Sequence, residues 1–400
     1  MKNKISFEKV RKFVKDNELY AFIIIVSALA IVARIKVFDF ASNDYNVFLS
    51  SWVSQIIDGG GFAALKNLES DYTPAYLYIL AIISYIPKND LYLIKAVSVA
   101  FDFIIAAVVG LIVRKIKKDD TIGVFAYTAA LFYPSIFLNG AVWAQCDAIF
   151  TAFIVLSLYF MLKDRSVLSG VFYGISFAFK LQAVFFLPVF VLVIVKKKIN
   201  LWTIPAFILS WFAVGIPALI VGMPFDKVYL VYFTQAGEYS NYLSLNAPSI
   251  FNWIATDLTS PDYADWFASA GVYIAIGITA LCMLPVYRFD FDINDDKIWI
   301  TITAFFAALL PFIMPHMHER YWYLSDVFAL IFVIIYPKRL YVGVGVVLPS
   351  LYVVCKYLFG LNFLPLPLWT VVLLIGIVLL GVCLYKDITE SSKLLQAEKQ

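Results

Sequence analysis

His318-Glu319-Arg320-Tyr321 lie between two long apolar runs, and His316 and His318 are the only histidines among 400 residues. Every ionisable group near lipid costs free energy, about 2.5–3.5 kcal/mol at mid-membrane on insertion scales. A His, a Glu and an Arg grouped at the end of a hydrophobic segment therefore mark a candidate functional site. Their chemistry suits gripping a phosphate, because a guanidinium presents a fork to phosphate oxygens. An interfacial Arg–Glu pair is the structural alternative. His-x-His-Glu could also supply zinc ligands, but no third histidine and no nearby cysteine completes a set. No metal or cofactor is read from the sequence, although Asp44, Asp147 and Glu319 could assemble around a divalent cation.

Four further constellations carry polar side chains where an apolar chain would not need them. Asp44, followed by Tyr45, begins a stretch in which Val47, Phe48, Trp52, Val53, Ile56 and Ile57 recur at helical spacing. This predicts a helix over 45–58 lying on the bilayer surface. Asp44 suits an N-cap there, or a general base at the rim of a cavity. Trp143-Ala144-Gln145-Cys146-Asp147 crowds polar residues into a short turn; Asp147 could cap the next helix, and Trp143 suits an interfacial belt. Phe179-Lys180-Leu181-Gln182 interrupts two short apolar runs, where Lys180 either snorkels or serves as a point charge for phosphate. The segment from Tyr239 to Trp253, with Tyr242 and Asn246, mixes amides, hydroxyls and aromatics, a combination suited to sugars and common in interfacial loops.

The elements that must position these residues are membrane helices. The chain is 62% hydrophobic, 18% aromatic and only 15% charged, far from a soluble composition. The expected class is an all-α polytopic membrane protein of about 12 transmembrane helices, with amphipathic juxtamembrane helices in its first outer loop. Placing the basic clusters in the cytoplasm gives spans near 19–39, 91–113, 121–139, 148–162, 167–181, 182–195, 200–222, 266–287, 298–315, 321–336, 340–360 and 367–385. That arrangement puts 22 of the 31 Lys and Arg inside and Lys66, Lys227 and Arg320 in outer loops. Residues 1–18 then form a cytoplasmic basic tail, 19–386 a single membrane domain with outer loops 40–90 and 223–265, and 387–400 a cytoplasmic tail. The short apolar run 76–86, bounded by Pro74 and Pro87, reads as an amphipathic or half-inserted helix in the first outer loop. Four cysteines without CxxC spacing imply neither disulfides nor a metal site.

With these residues in view, the chain resembles the GT-C superfamily of glycosyltransferases that use polyprenyl-phosphate sugars, and in particular the bacterial branch related to GPI mannosyltransferases. The resemblance rests on Asp44-Tyr45, Tyr72-Thr73-Pro74, Trp143-Ala144-Gln145-Cys146-Asp147, Phe179-Lys180-Leu181-Gln182, Leu243-Ser244-Leu245-Asn246-Ala247-Pro248-Ser249 and Met317-His318-Glu319-Arg320-Tyr321, in that order over residues 40–325. Ala144 stands where the family usually has Gly, and Leu181 where it usually has Pro.

The resemblance implies inverting transfer of one hexose, such as mannose, glucose or galactose, from a polyprenyl-phosphate donor to a glycan or glycolipid acceptor outside the membrane. It implies Asp44 as catalytic base and His318 and Arg320, helped by Lys180, as holders of the donor phosphate. Tyr45, Gln145, Asp147, Gln182, Tyr242, Asn246, Glu319 and Tyr321 would line the substrate cavity. The expected setting is a bacterial plasma membrane with both termini inside, where the donor would be an undecaprenyl lipid made by a polyprenyl-phosphate-sugar synthase and moved by a flippase. No nucleic-acid partner is expected. A lipid-linked-saccharide flippase is the rival reading, kept open by Lys95, Asp102 and Lys356 within spans, and a catalytically silent partner subunit is a third.

Overall fold

The computed structural model describes residues 17–232, 242–254 and 261–398. The expected N-terminal tail, apart from its last two residues, and the Tyr239–Asn241 part of the sugar-suited loop lie outside them. The described residues are 79% helical with almost no sheet. In hydrocarbon every backbone N–H and C=O must find its partner within the segment, and long apolar runs satisfy that only as helices.

Among the described residues, seven helices are long and apolar enough to cross a membrane: Glu18–Ile35, Asp90–Lys117, Thr203–Val221, Asp265–Arg288, Asp296–Ile313, Pro337–Phe359 and Leu366–Glu398. The pair Asp120–Leu131 and Pro134–Trp143, bent by 47°, passes the same test when taken together and is an eighth crossing if it forms one span. The bend follows from Pro134, which cannot donate a backbone hydrogen bond and pushes the preceding residue out of the helical region; Tyr133 accordingly sits at ψ 124°. The other four of the twelve expected spans are Asp147–Leu162, Ser166–Phe179, Leu181–Val195 and Tyr323–Ile335, all shorter than 18 residues. Length and composition thus support seven or eight crossings.

Asp296–Ile313 runs through the middle of the protein, 94% buried, against Tyr323–Ile335 and Leu366–Glu398. Glu18–Ile35, Thr203–Val221 and Asp265–Arg288 are the least buried long helices and present apolar surface outward. The surface helix expected over 45–58 forms as a π-helical turn, Tyr45–Leu49, continued by Ser50–Asp58. Its Trp52, Val53 and Ile56 turn inward, leaving Val47 and Ile57 exposed. Together with the helix Pro74–Ser84 they make a second apolar cluster that reaches Ala144, Cys146 and Ile149. This cluster clamps the first loop over the turn that carries Gln145.

Two of the charges that suggested a transport path have structural partners. Lys95 donates to the carbonyls of Val37, Phe38 and Phe40, satisfying backbone at the end of the first helix. Asp102 pairs with fully buried Arg34 at 3.1 Å, and Arg34 also donates to the Leu131 carbonyl. At the opposite ends of the helices from Asp44, Lys115 pairs with Asp296, Lys198 with Asp164 and Arg339 with Asp387. The last helix continues to Glu398, through the segment 387–398 expected as a tail. Those residues contain no Gly or Pro and are rich in good helix formers.

Candidate active site

Asp44 stands at the N-cap position of the Tyr45–Leu49 turn, but its side chain makes no capping bond. Ser42 does that work, its hydroxyl accepting from the Tyr45 N–H at 3.2 Å. The Asp44 carboxylate is therefore free to face the interior, where it accepts four side-chain donors. Oδ2 receives Trp143 Nε1 and Arg320 Nη1, both at 3.1 Å, and Gln145 Nε2; Oδ1 receives the Tyr357 hydroxyl. The Asp44 and Arg320 side chains keep 15% and 16% of their surface exposed, so the pair is reachable. Between Asp44 and Arg320 the chain separation is 276 residues, so the fold alone unites them.

A second carboxylate lies deeper. Asp147 begins its helix, accepts Asn139 Nδ2 at 2.9 Å, and pairs with Lys180. Its side chain is 2% exposed and that of Lys180 9%. Arg320 Nε lies 4.0 Å from Asp147 Oδ2, so the guanidinium occupies the space between Asp44 and Asp147 where a shared cation would have to sit. Lys180, read from the sequence as a phosphate ligand, is turned onto Asp147, with the Tyr72 and Phe150 rings about it.

The turn Met314–Trp322 connects two buried helices and is held from one side by a two-residue parallel bridge, Ser244 with Met317 and Leu245 with His318. His316 Nδ1 lies 2.6 Å from the Tyr242 carbonyl. The bridge brings the loop 242–254 to the His-Glu-Arg turn. Burial, with the positive charges of Arg320 and Lys180, holds the His318 ring well below its ordinary 6.5; it is a neutral hydrogen-bonding group, not a second cation. Burial raises Glu319 to about 7 against the pull of Arg320.

Because Glu319 titrates above its ordinary 4.5, folding takes up a proton in that window. Its contribution to stability is fully present below about pH 4.5 and is lost as pH rises through about 7. Glu319→Gln removes the slope, and its stability relative to the parent should rise between pH 5 and pH 8, by an amount on the order of 3 kcal/mol. Thermal unfolding of both proteins at the two pH values checks this; an equal difference at both would contradict it.

Several predicted residues are placed elsewhere than expected. The Tyr45 hydroxyl points away from the site to Asp90 Oδ1 at 2.9 Å, and burial and that carboxylate raise it to about 12. Asn246 adopts a left-handed backbone, φ 51°, which Asn tolerates, and reaches the Val353 carbonyl at 3.4 Å. The Tyr242 side chain makes no described contact with Asp44. Gln182 lies beside Tyr321, and Gln145 accepts from the Tyr72 hydroxyl. Tyr357 was not foreseen: a Tyr near the end of an apolar helix reads as interfacial belt, yet its ring stacks on Trp143 at 4.8 Å.

Ala144 also departs from ordinary geometry. It ends the π-helical segment Leu138–Trp143 at φ 66°, ψ 32°, a left-handed conformation that costs a residue with a Cβ roughly 1–2 kcal/mol. The tight reversal aims Trp143 and Gln145 at the same carboxylate. Glycine removes this strain but carries a cost in unfolded-chain entropy and gives up the buried Ala144 methyl, each worth up to about 1 kcal/mol, so the terms nearly cancel. Ala144→Gly should leave the thermal midpoint in detergent close to that of the parent; a large fall would overturn the strain argument.

A family model described as glycosyltransferase family 87 matches residues 71–310. The chain belongs to this family. Family 87 sits within the GT-C-like group, so the protein is a membrane glycosyltransferase. The matched segment includes Gln145, Asp147, Lys180 and Gln182, while Asp44 and Arg320 flank it on either side. No curated protein matches the chain.

Proposed function

We propose that this family 87 enzyme transfers one hexose with inversion from a polyprenyl-phosphate sugar to a hydroxyl of a glycan or glycolipid acceptor. The observation that carries the reading is the Asp44–Arg320 contact: an accessible carboxylate and an accessible guanidinium, 3.1 Å apart, against a neutral imidazole turn. The acceptor O–H gives its proton to Asp44 as its oxygen attacks the anomeric carbon. The bond from that carbon to the phosphate oxygen breaks, its electron pair stays on the lipid phosphate, and Arg320 meets the growing negative charge. Neutral His318 adds a donor, and Gln145, Gln182, Glu319 and Tyr321 orient the sugar. Tyr357, Trp143 and Gln145 fix the direction of the Asp44 lone pairs.

Asp147 and Lys180, buried against each other, support Arg320 from behind. Basic residues gather at the helix ends away from Asp44, and the positive-inside rule assigns that end to the cytoplasm. Catalysis then takes place on the outer face of a bacterial plasma membrane with both termini inside, supplied by a donor synthase and a flippase. No described residue needs a metal for this step. Purified protein in liposomes, given radiolabelled polyprenyl-phosphate mannose, glucose or galactose and a crude acceptor extract, should move label from lipid to acceptor with one of them. Label that crosses the bilayer while still on its lipid would instead indicate a flippase, and no release with any donor would indicate a silent subunit.

A further inference from the structure

Behind Arg320, on the inner side of the site, lies a cavity of about 10 Å³ lined by Ser135, Asn139, Arg320, Tyr323, Asp326 and Ser350. That is about the room one water needs. Asp326 is 1% exposed and forms no salt bridge among the described residues. Its Oδ2 accepts from Ser135 at 2.6 Å and Ser350 at 2.9 Å, while Oδ1 has no hydrogen-bond partner. Asn139 Oδ1, Tyr323 OH and Arg320 Nε are also buried without one. With Asp326 ionised, two of these four atoms can only accept, one can only donate, and the tyrosine hydroxyl can do either. A single water offers two donors and two acceptors, which matches the set.

We propose that this cavity is a binding site for one ordered water, and that through it Asp326 is a positioning residue for Arg320. The water accepts from Arg320 Nε and Tyr323 and donates to Asn139 and Asp326. It turns the guanidinium so that Nη1 faces Asp44 and the donor phosphate. Asn139 also holds Asp147, so the same water ties both edges of the arginine to buried carboxylates. The positioning role rests on Arg320 gripping phosphate, as proposed above; the water itself does not.

The test has two arms. A high-resolution density map of the full-length protein should hold a single peak within hydrogen-bond reach of Asn139, Arg320, Tyr323 and Asp326, and a map of that quality without it overturns the water site. In the second arm, binding of farnesyl phosphate is measured by tryptophan fluorescence. Asp326→Asn keeps the shape but replaces an acceptor with a donor, and should weaken binding about tenfold. In an Arg320→Ala background it should have no further effect. Tyr323→Phe, a milder change, should weaken binding in the same direction and serves if the Asp326 variant does not fold. Unchanged binding in both variants, or equal losses with and without Arg320, overturns the positioning role. Arg320→Ala that binds farnesyl phosphate like the parent would instead remove the phosphate grip, with the density peak still deciding the water.

Discussion

Asp44→Asn is expected to leave an inserted, stable protein that has lost about 10²–10⁴-fold in transfer rate, the usual cost of removing a general base. The substitution is close to isosteric, and the site can accommodate it. The amide oxygen can take over the Oδ2 position, where Trp143, Gln145 and Arg320 all donate. The amide nitrogen then faces Tyr357, whose hydroxyl can accept as readily as it donates. Structure is therefore kept while the proton acceptor is lost. Initial rates of label transfer in proteoliposomes, with thermal midpoints beside them, separate the two. Full turnover by the variant would remove Asp44 from the chemistry, and a large fall in midpoint would make its role structural. Tyr357→Phe gives a graded comparison: it removes one of four donors, so its rate loss should be well below that of Asp44→Asn.

The contrast between Asp44 and Tyr45 illustrates what could be read from the chain. Ionisable residues at the ends of apolar runs announce themselves because lipid makes them costly, and Asp44, Gln145, Asp147, Lys180 and Arg320 do converge. The direction in which each side chain points was not legible. Tyr45 turns to Asp90 and Lys180 to Asp147 because buried polar groups take the partners the fold places nearest, and those partners are 45 and 33 residues away. Tyr357 carries no local signal, since its role comes from a carboxylate 313 residues distant. Asp326, inside the expected span 321–336, carries no local signal either, since its partner Ser135 is 191 residues away. Lys95 and Asp102, suspicious as charges within spans, are explained only once the end of the first helix and Arg34 are seen beside them. The span count was less legible than the fold class: an apolar run of 13–16 residues is equally a short crossing and a buried core helix.

Arg320→Ala should cost about 10²–10³-fold in turnover, or ~3–4 kcal/mol, the usual effect of deleting one preorganised donor that meets developing charge. The same deletion has a structural side. Arg320 lies between Asp44 at 3.1 Å and Asp147 at 4.0 Å and stands over the Trp143 and Tyr321 rings, so alanine leaves two carboxylates less well compensated and opens space. A loss of activity alone would not distinguish phosphate binding from a loosened site. Arg320→Lys makes the distinction, because lysine restores the positive charge but not the planar fork. Thermal midpoints without ligand should recover largely in the lysine variant. The upward shift on adding a polyprenyl monophosphate should stay small in both variants and large in the parent. If the lysine variant regains the full ligand-induced shift, charge alone suffices and the bidentate grip is wrong. If alanine keeps it, the donor phosphate is held elsewhere, with Lys180 released from Asp147 as the cation to examine next.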